Sequence, residues 1–495
     1  MPQYRAIVGL VFCVATATAA PRPGSVTLQP AKVQAEDGTT VAFEAGTLYV
    51  AENRAAATSN VIEVRFARLK AARPSGAPPV IFLPGGPGNS YLEAFTATTP
   101  NARRRLAMFR KYAATTDLVV LDQRGFSPGG TMLATPAPVP QLLDRPSTTT
   151  TAAATWTTFA RGLPTANPGR DLAGYNLVEC AADVDELRRA LGYAKVSLLG
   201  GSFGSQWSFA VMRLYSAAVA RAVLYGVEPL DAGFDMPSHE LAAIQRIAFE
   251  ADRAPALQPY LPPGGLMAAL TALRDRFARG PIHVRVTDPT TRAPVSLTLG
   301  LEDLQGWLIP VEAEDWPAFV LALYHGHYED WALQELAARR ASPFSAAIIP
   351  LIDSGIGASA QRVHAIRTDP ATALLGTWDF APHIASRSAW PTPDLGDALR
   401  TPVSSTIPVL FLNGDWDVST PIENMLAIAP YFPAGRTMIV HRGSHDQASY
   451  LTRQSPEAFA AILEFLRTGS LAHVPSEITL TSPTWKVPAF PPPPR

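Results

Sequence analysis

Lys195-Val-Ser-Leu-Leu-Gly200-Gly-Ser202-Phe-Gly204-Ser-Gln-Trp-Ser-Phe-Ala-Val-Met-Arg-Leu214 decides how the whole chain is read. An apolar strand runs into Gly-x-Ser-x-Gly, and the residues after it have the spacing of a buried helix. The glycines have a mechanical purpose. A strand that turns straight into a helix leaves no room for side chains two residues on either side of the turn, and the serine between them is pushed outward. Gly-x-Ser-x-Gly by itself is a common pattern in a chain with 34 glycines, and the flanking strand and helix are what give it weight. Ser202 is the candidate nucleophile. The plainer alternative is a tight strand-to-helix turn carrying an idle serine.

The chain has 495 residues, 47% hydrophobic and 17% charged, enough for a large core. No long low-complexity linker divides it, which favours one α/β domain with an inserted or appended part over several independent domains. A formal charge of −1, with no basic run beyond Arg103-Arg104-Arg105, does not suit a nucleic-acid partner. Those three arginines read as the solvated face of a helix. Arg5, the apolar stretch 6–15 and Ala17-Thr18-Ala19 have the layout of a signal peptide over residues 1–19. Export to the periplasm or outside is therefore expected, with no membrane anchor left after processing, since the apolar run is shorter than a span requires. Cys13 would leave with that segment, so Cys180 would remain alone and no intrachain disulfide would form.

Thr47–Val50 and Val61–Leu69 read as paired strands, the second alternating apolar and polar. Pro78-Pro-Val-Ile-Phe-Leu83, continuously apolar, reads as a strand buried on both faces. It ends in Pro84-Gly85-Gly86-Pro87-Gly88, placed where a backbone N–H can serve an oxyanion. No Gly-Lys-Ser/Thr follows, which argues against a phosphate loop. Asp117–Leu121 is the next strand, and Asp122 and Arg124 at its end read as a buried ion pair bracing the turn. The Thr-, Ala- and Pro-rich stretch from about 134 to 170 reads as a surface excursion. A helix over 181–191, closed by Gly192, leads back to the elbow strand, and this alternation predicts a parallel sheet.

Pro84-Gly-Gly-Pro-Gly88, Asp122-Gln-Arg-Gly125 and Gly200-Gly-Ser-Phe-Gly204, in that order, resemble the proline iminopeptidase and tripeptidyl aminopeptidase (TAP-like) group of the α/β-hydrolases. The resemblance runs from about residue 45 to 470 and is weakest between about 235 and 400. It implies a mostly parallel central sheet with helices on both faces and an inserted, mainly helical cap. The corresponding layout is a core over 20–230 and 401–472, a cap over 231–400 and a tail over 473–495. Pro84 stands where relatives usually carry His, which weakens any inference about substrate and leaves the backbone of the loop intact.

Two acids, Asp415 and Asp417, follow the strand 407–412. The family pattern of Gly-x-x-Asp with a Pro four residues later selects Asp417. After the last strand, His445 holds the family's catalytic position, with Ser444 replacing the usual Gly, and His441 lies within the strand. The implied site is Ser202, Asp417 and His445, with the N–H groups of Phe203 and of Gly86 (or Gly85) holding the oxyanion. No metal or organic cofactor is expected, and His325-Gly-His327 has no second group of ligands beside it. Trp307, Trp316, Tyr324, Tyr328 and Trp331 read mostly as cap core.

An aminopeptidase needs an anionic partner for the substrate ammonium. Glu228, after the strand that follows the elbow, is the candidate, with Glu312, Glu314 and Asp315 behind it. The expected activity is that of an exported serine aminopeptidase acting on short peptides. The alternatives are an esterase, amidase or lactonase of small molecules on the same fold, or a catalytically silent binding protein.

Overall fold

The computed structural model describes residues 21–309, 313–445 and 447–494. The expected signal peptide and Glu312 lie outside them. Ten strands form one sheet in the order β1-β2-β3-β5-β4-β6-β7-β10-β11-β12. The opening strands β1 (Val26–Gln34), β2 (Thr40–Ala51) and β3 (Val61–Leu69) are antiparallel, and β3 also meets β5 antiparallel. From β5 (Leu118–Leu121) through β4 (Val80–Leu83), β6 (Val196–Gly201), β7 (Val219–Tyr225), β10 (Val409–Gly414) and β11 (Arg436–His441) to β12 (Glu477–Thr479), every pairing is parallel.

The parallel strands are apolar without interruption because each face of the sheet has its own core. In β4, Ile81 and Leu83 pack on one side with α3 (Leu177–Ala190) and α4 (Phe203–Leu214). Val80 and Phe82 pack on the other with α1 (Pro100–Tyr112) and the carboxyl-terminal helix Pro456–Thr468. β5 divides in the same way, Val119 and Leu121 against Leu118 and Val120. Period-two side-chain alternation thus supplies both cores from single strands.

Along three stretches the structure adds to the sequence reading. The stretch 134–170 contains α2 (Thr149–Ala166). Thr148 caps it in a reciprocal bond with Thr151, and Ala152, Phe159, Ala160 and Leu163 are buried. Tertiary packing overrides the modest helix propensity of its threonines. The strand β1 went unseen because it alternates half-buried and exposed residues and carries Pro30, as an edge strand tolerates. The terminal stretch, read as a tail, is packed against the rest of the chain as far as Phe490. It adds β12 to the sheet edge, and beyond it Trp485 packs on Trp416 and Phe490 on Tyr260, His325 and His327.

β7 and β10 are sheet neighbours, and the chain between them leaves the sheet. That insertion contains α5 (Pro237–Ala251), α6 (Gly265–Ala278), the hairpin β8 (Ile282–Thr287) and β9 (Pro294–Leu299), and α7 (Leu301–Gln305). It continues with α8 (Trp316–Tyr324), α9 (Glu329–Arg340) and α10 (Ile348–Ile356), then further short helices up to Arg400. α8 and α9 are separated at Gly326, whose φ of +88° a helix cannot hold. Trp316, Tyr328 and Trp331 are buried in the insertion's own core, which also takes in Trp416 of the acid-bearing loop.

Candidate active site

Ser202 sits between β6 and α4 with φ 55° and ψ −131°, a conformation L-residues seldom adopt. Its own N–H holds it there, donating to the carbonyls of Tyr225 (3.0 Å) and Gly226 (3.1 Å) at the end of β7. A Cβ on Gly200 would lie 2.2 Å from the Gly204 carbonyl oxygen, and one on Gly204 would lie 2.1 Å from that of Leu83. Each glycine therefore marks a place where backbone meets backbone. Phe203 opens α4, so its N–H is among those for which the helix has no acceptor.

His445 lies on the loop after β11. Its Nδ1 is 3.0 and 3.1 Å from the two carboxylate oxygens of Asp417. Asp417 is buried and also accepts from the backbone N–H groups of Ser419 (3.0 Å) and Thr420 (2.9 Å) and from the Thr420 hydroxyl (2.8 Å). With that many donors around it the carboxylate's orientation is set. Asp415, the other acid, turns away. It accepts from His441 Nδ1 (2.9 Å) and from the Arg442 N–H (2.8 Å), closing the end of β11. The two acids and two histidines thus sort into separate pairs. Asp415 and His441 line a second cavity with Glu250 and Arg442.

Ser202, His445, Gly85 and Gly86 share the wall of one cavity of about 930 Å³. A Cβ on Gly85 would fall 3.3 Å from the Ser202 Cβ, so the Gly-rich loop passes directly over the serine. Gln123, from the turn after β5, secures that loop by accepting from the Gly88 N–H (2.8 Å) and donating to the Gly85 carbonyl (3.4 Å). The pairing expected of Asp122 and Arg124 is not found. Asp122 accepts from the hydroxyls of Ser90 and Ser127, and burial pushes its carboxyl up to about 7. Arg124 is fully buried and forks onto Asp183 (2.8 and 2.6 Å) while also donating to the carbonyls of Glu52 and Gly174. A guanidinium has five donors, and one carboxylate at a neighbouring position cannot satisfy them.

Several positioning residues carried no signal in the sequence. Asn413, buried at the end of β10, donates to the Thr420 carbonyl (2.8 Å) and accepts from the Val227 N–H (2.7 Å), tying the acid loop to the end of β7. Ser205 donates to the Ser202 carbonyl (2.7 Å) and accepts from the Glu228 N–H (2.9 Å). Gly226, with φ 52°, leaves room for the imidazole, since a Cβ there would lie 3.3 Å from His445 Cε1. Nothing next to Asn413 in the chain marks this role, since Val227 lies 186 positions away.

Glu228 is not in the wall of the cavity that holds Ser202. It accepts from Gln206 Nε2 (3.1 Å), one turn into α4, and faces the insertion. Burial raises its carboxyl well above the ordinary range, and Asp235, Asp353, Asp379 and Asp417 raise it further. Burial also takes Asp235 up to about 8 and Asp353 up to about 7, each with a contribution from Asp379. Glu228, Asp235 and Asp353 are half-buried and Asp379 is exposed. Glu314 and Asp315 lie elsewhere, at the start of α8, where Asp315 meets Lys486 (3.2 Å).

Residues 78–253 match the family model described as α/β hydrolase fold, and residues 379–477 match the one described as TAP-like protein. No curated protein sequence matches the chain. Among solved structures, a proline iminopeptidase from Mycobacterium smegmatis is 15% identical over 86% of this chain and 99% of its own, with a TM-score of 0.40. A thermophilic esterase from Thermogutta terrifontis is 16% identical over 89% and 100%, with a TM-score of 0.32. Epoxide hydrolase A from Mycobacterium thermoresistibile is 16% identical over 89% and 99%, with a TM-score of 0.34. With the elbow half matching one model and the segment carrying the acid and histidine loops matching the other, the chain is a hydrolase of the α/β-hydrolase fold with a TAP-like carboxyl-terminal region.

Proposed function

We propose that the chain is an exported serine hydrolase that removes short segments from the amino terminus of peptides through Ser202, His445 and Asp417. One observation carries the reading: a serine in a strained elbow shares a cavity with a histidine whose Nδ1 is held by a buried carboxylate. His445 Nε2 takes the Ser202 proton as Oγ attacks the carbonyl, and Asp417 keeps the imidazole in the required tautomer and stabilises its charged form. The N–H groups of Phe203 and Gly86 hold the oxyanion, each worth about 3 kcal/mol in the transition state. The tetrahedral intermediate collapses as His445 gives its proton to the leaving amine. Water, activated by the same imidazole, then hydrolyses the acyl-enzyme. A serine-directed phosphonate followed by peptide mapping tests the nucleophile, and modification of a residue other than Ser202 overturns it.

The two acid–histidine pairs give a sharper check. Asp417→Asn is expected to lower kcat by about 10⁴, because the amide favours the wrong imidazole tautomer. Asp415→Asn, which disturbs only the end of β11, is expected to cost less than about tenfold. Steady-state rates on one activated substrate decide this, and the reverse ranking would move the catalytic acid to Asp415.

Peptidase rather than esterase activity is supported by the acids that gather behind Ser202 on the insertion side. An unpaired ammonium entering there would meet Glu228 and its acidic neighbours, and its charge would draw their protons off. Glu228→Gln is therefore expected to lower kcat/KM for free-amino peptide anilides by at least about tenfold, since hydrogen bonds to charged groups contribute about 1.5–3 kcal/mol. Hydrolysis of a simple acetate ester should hardly change. Equal losses on both substrates would remove the amine role, and wild-type enzyme that leaves every free-amino peptide intact would favour the esterase reading.

A further inference from the structure

The cavity around Ser202 is charged asymmetrically. Among the described residues of its wall, Arg104, Arg105, Lys111 and Arg453 face a single carboxylate, Glu36. The whole chain carries 41 basic and 42 acidic residues, so this local excess is not a consequence of composition. Arg104, Met108 and Lys111 belong to α1 at the i, i+4, i+7 spacing that places them on one helical face. That face spans about 10 Å at 1.5 Å per residue, roughly the length of three extended residues.

Among the described residues, two of these cations, Arg104 and Lys111, have no carboxylate partner. Arg105 is paired with Glu93 and stacks on the Tyr91 ring at 3.9 Å. Arg104 donates to the side-chain oxygen of Asn101, and Lys111 lies 5.5 Å from the ring of Phe459. Both are exposed. Repulsion between the like charges of Arg104 and Lys111 along the groove favours an anionic ligand there.

Their position relative to the reaction says which part of the substrate this is. His445 returns its proton to the leaving group, and it lines the same wall as Arg104, Lys111 and Arg453. The acids Glu228, Asp235, Asp353 and Asp379 are absent from that wall. Building on the acyl-transfer reading above, we infer that the groove along α1 binds a carboxylate on the leaving-group side of the scissile bond. For a peptide this is the free α-carboxylate of a leaving segment one to three residues long. The site is then bipolar, with acids toward the acyl portion and cations toward the leaving portion, and it selects short peptides with both ends free over internal segments of long chains.

The experiment compares matched substrates differing only in that charge: 4-acetoxybenzoate against its methyl ester, and a free-acid tetrapeptide against its carboxamide. Each is measured with wild type, Arg104→Gln, Lys111→Gln and the double variant. Wild type is expected to prefer the carboxylate forms in kcat/KM, with the preference shrinking as salt rises from 50 to 500 mM. Each substitution should reduce the preference by about two- to fivefold, the range of exposed charge pairs, and leave the neutral ester's rate unchanged. Equal rates on charged and neutral members, or a preference that survives in the double variant, would overturn the inference. The ester pair keeps this outcome separate from the peptidase reading: turnover of both esters without charge preference sinks the carboxylate groove alone, whereas turnover of neither sinks the hydrolytic site as well.

Discussion

Ser202→Ala is expected to lower turnover by at least four orders of magnitude and leave the melting temperature nearly unchanged. Removal of the nucleophile or the base in a serine hydrolase costs about 10⁶ in kcat, and what survives comes from the oxyanion donors and binding alone. The fold should not notice, because the hydroxyl supports nothing in the core and the N–H that anchors the residue to Tyr225 and Gly226 remains. A glycine at the same position separates the two consequences. The φ of 55° and ψ of −131° lie in a region where a non-glycine residue costs about 1–3 kcal/mol. Ser202→Gly should therefore be as inactive as Ser202→Ala but more stable, by about 1 kcal/mol in urea unfolding, since part of the relief is returned as unfolded-state entropy. Wild-type rates in purified Ser202→Ala would end the mechanism. A Ser202→Gly protein no more stable than Ser202→Ala would show that the elbow stores no strain.

Arg124→Met should act in the opposite sense, on stability with little effect on chemistry. Arg124 bridges the turn after β5 to Asp183 of α3 and to the carbonyls of Glu52 and Gly174, all inside the protein. Methionine approximates its volume and makes none of these bonds. Arg54 also pairs with Asp183, Glu179 and Glu186, so the acids keep one cation and lose the other. Breaking one side of a buried ion pair costs about 3–5 kcal/mol, and two carbonyls lose donors in addition. A fall of that size in unfolding free energy is expected, with kcat of the folded fraction within a factor of about three, because Arg124 does not reach the Ser202 cavity. No change in stability would mean that Arg54 alone neutralises Asp183. A matching loss of kcat would mean that this turn positions the Gly85–Gly86 loop through more than Gln123.

The elbow was legible because its constraint is local. A strand, a turn and a helix within twenty residues leave glycine as the only residue that fits at 200 and 204, and both positions prove to be backbone contacts. Continuous apolar runs likewise exposed β4, β5, β6 and β10, since a strand covered on both faces has no polar alternation to confuse its reading. The choice between Asp415 and Asp417 was different in kind. Both stand in the same loop, and the residue pattern of a resembling family, not chemistry visible at either position, separated them. In the structure that separation is geometric, with Asp417 on His445 and Asp415 on His441.

By itself, then, the amino-acid order determined what depends on neighbours along the chain: the parallel core strands, the turn that carries Ser202, and the order in which serine, acid and histidine follow. Tertiary structure alone decided what depends on residues far apart. It paired Arg124 with Asp183 instead of Asp122, and it drew the terminal segment across the insertion through Phe490. It also placed Arg104 and Arg105, two of the arginines expected on a solvated helix face, in the wall of the serine's cavity. The reason is physical. Backbone sterics and hydrophobic periodicity act over a few residues and leave a mark at each position. A charge takes its meaning from whatever packing brings within a few ångströms, and no window of sequence contains both partners.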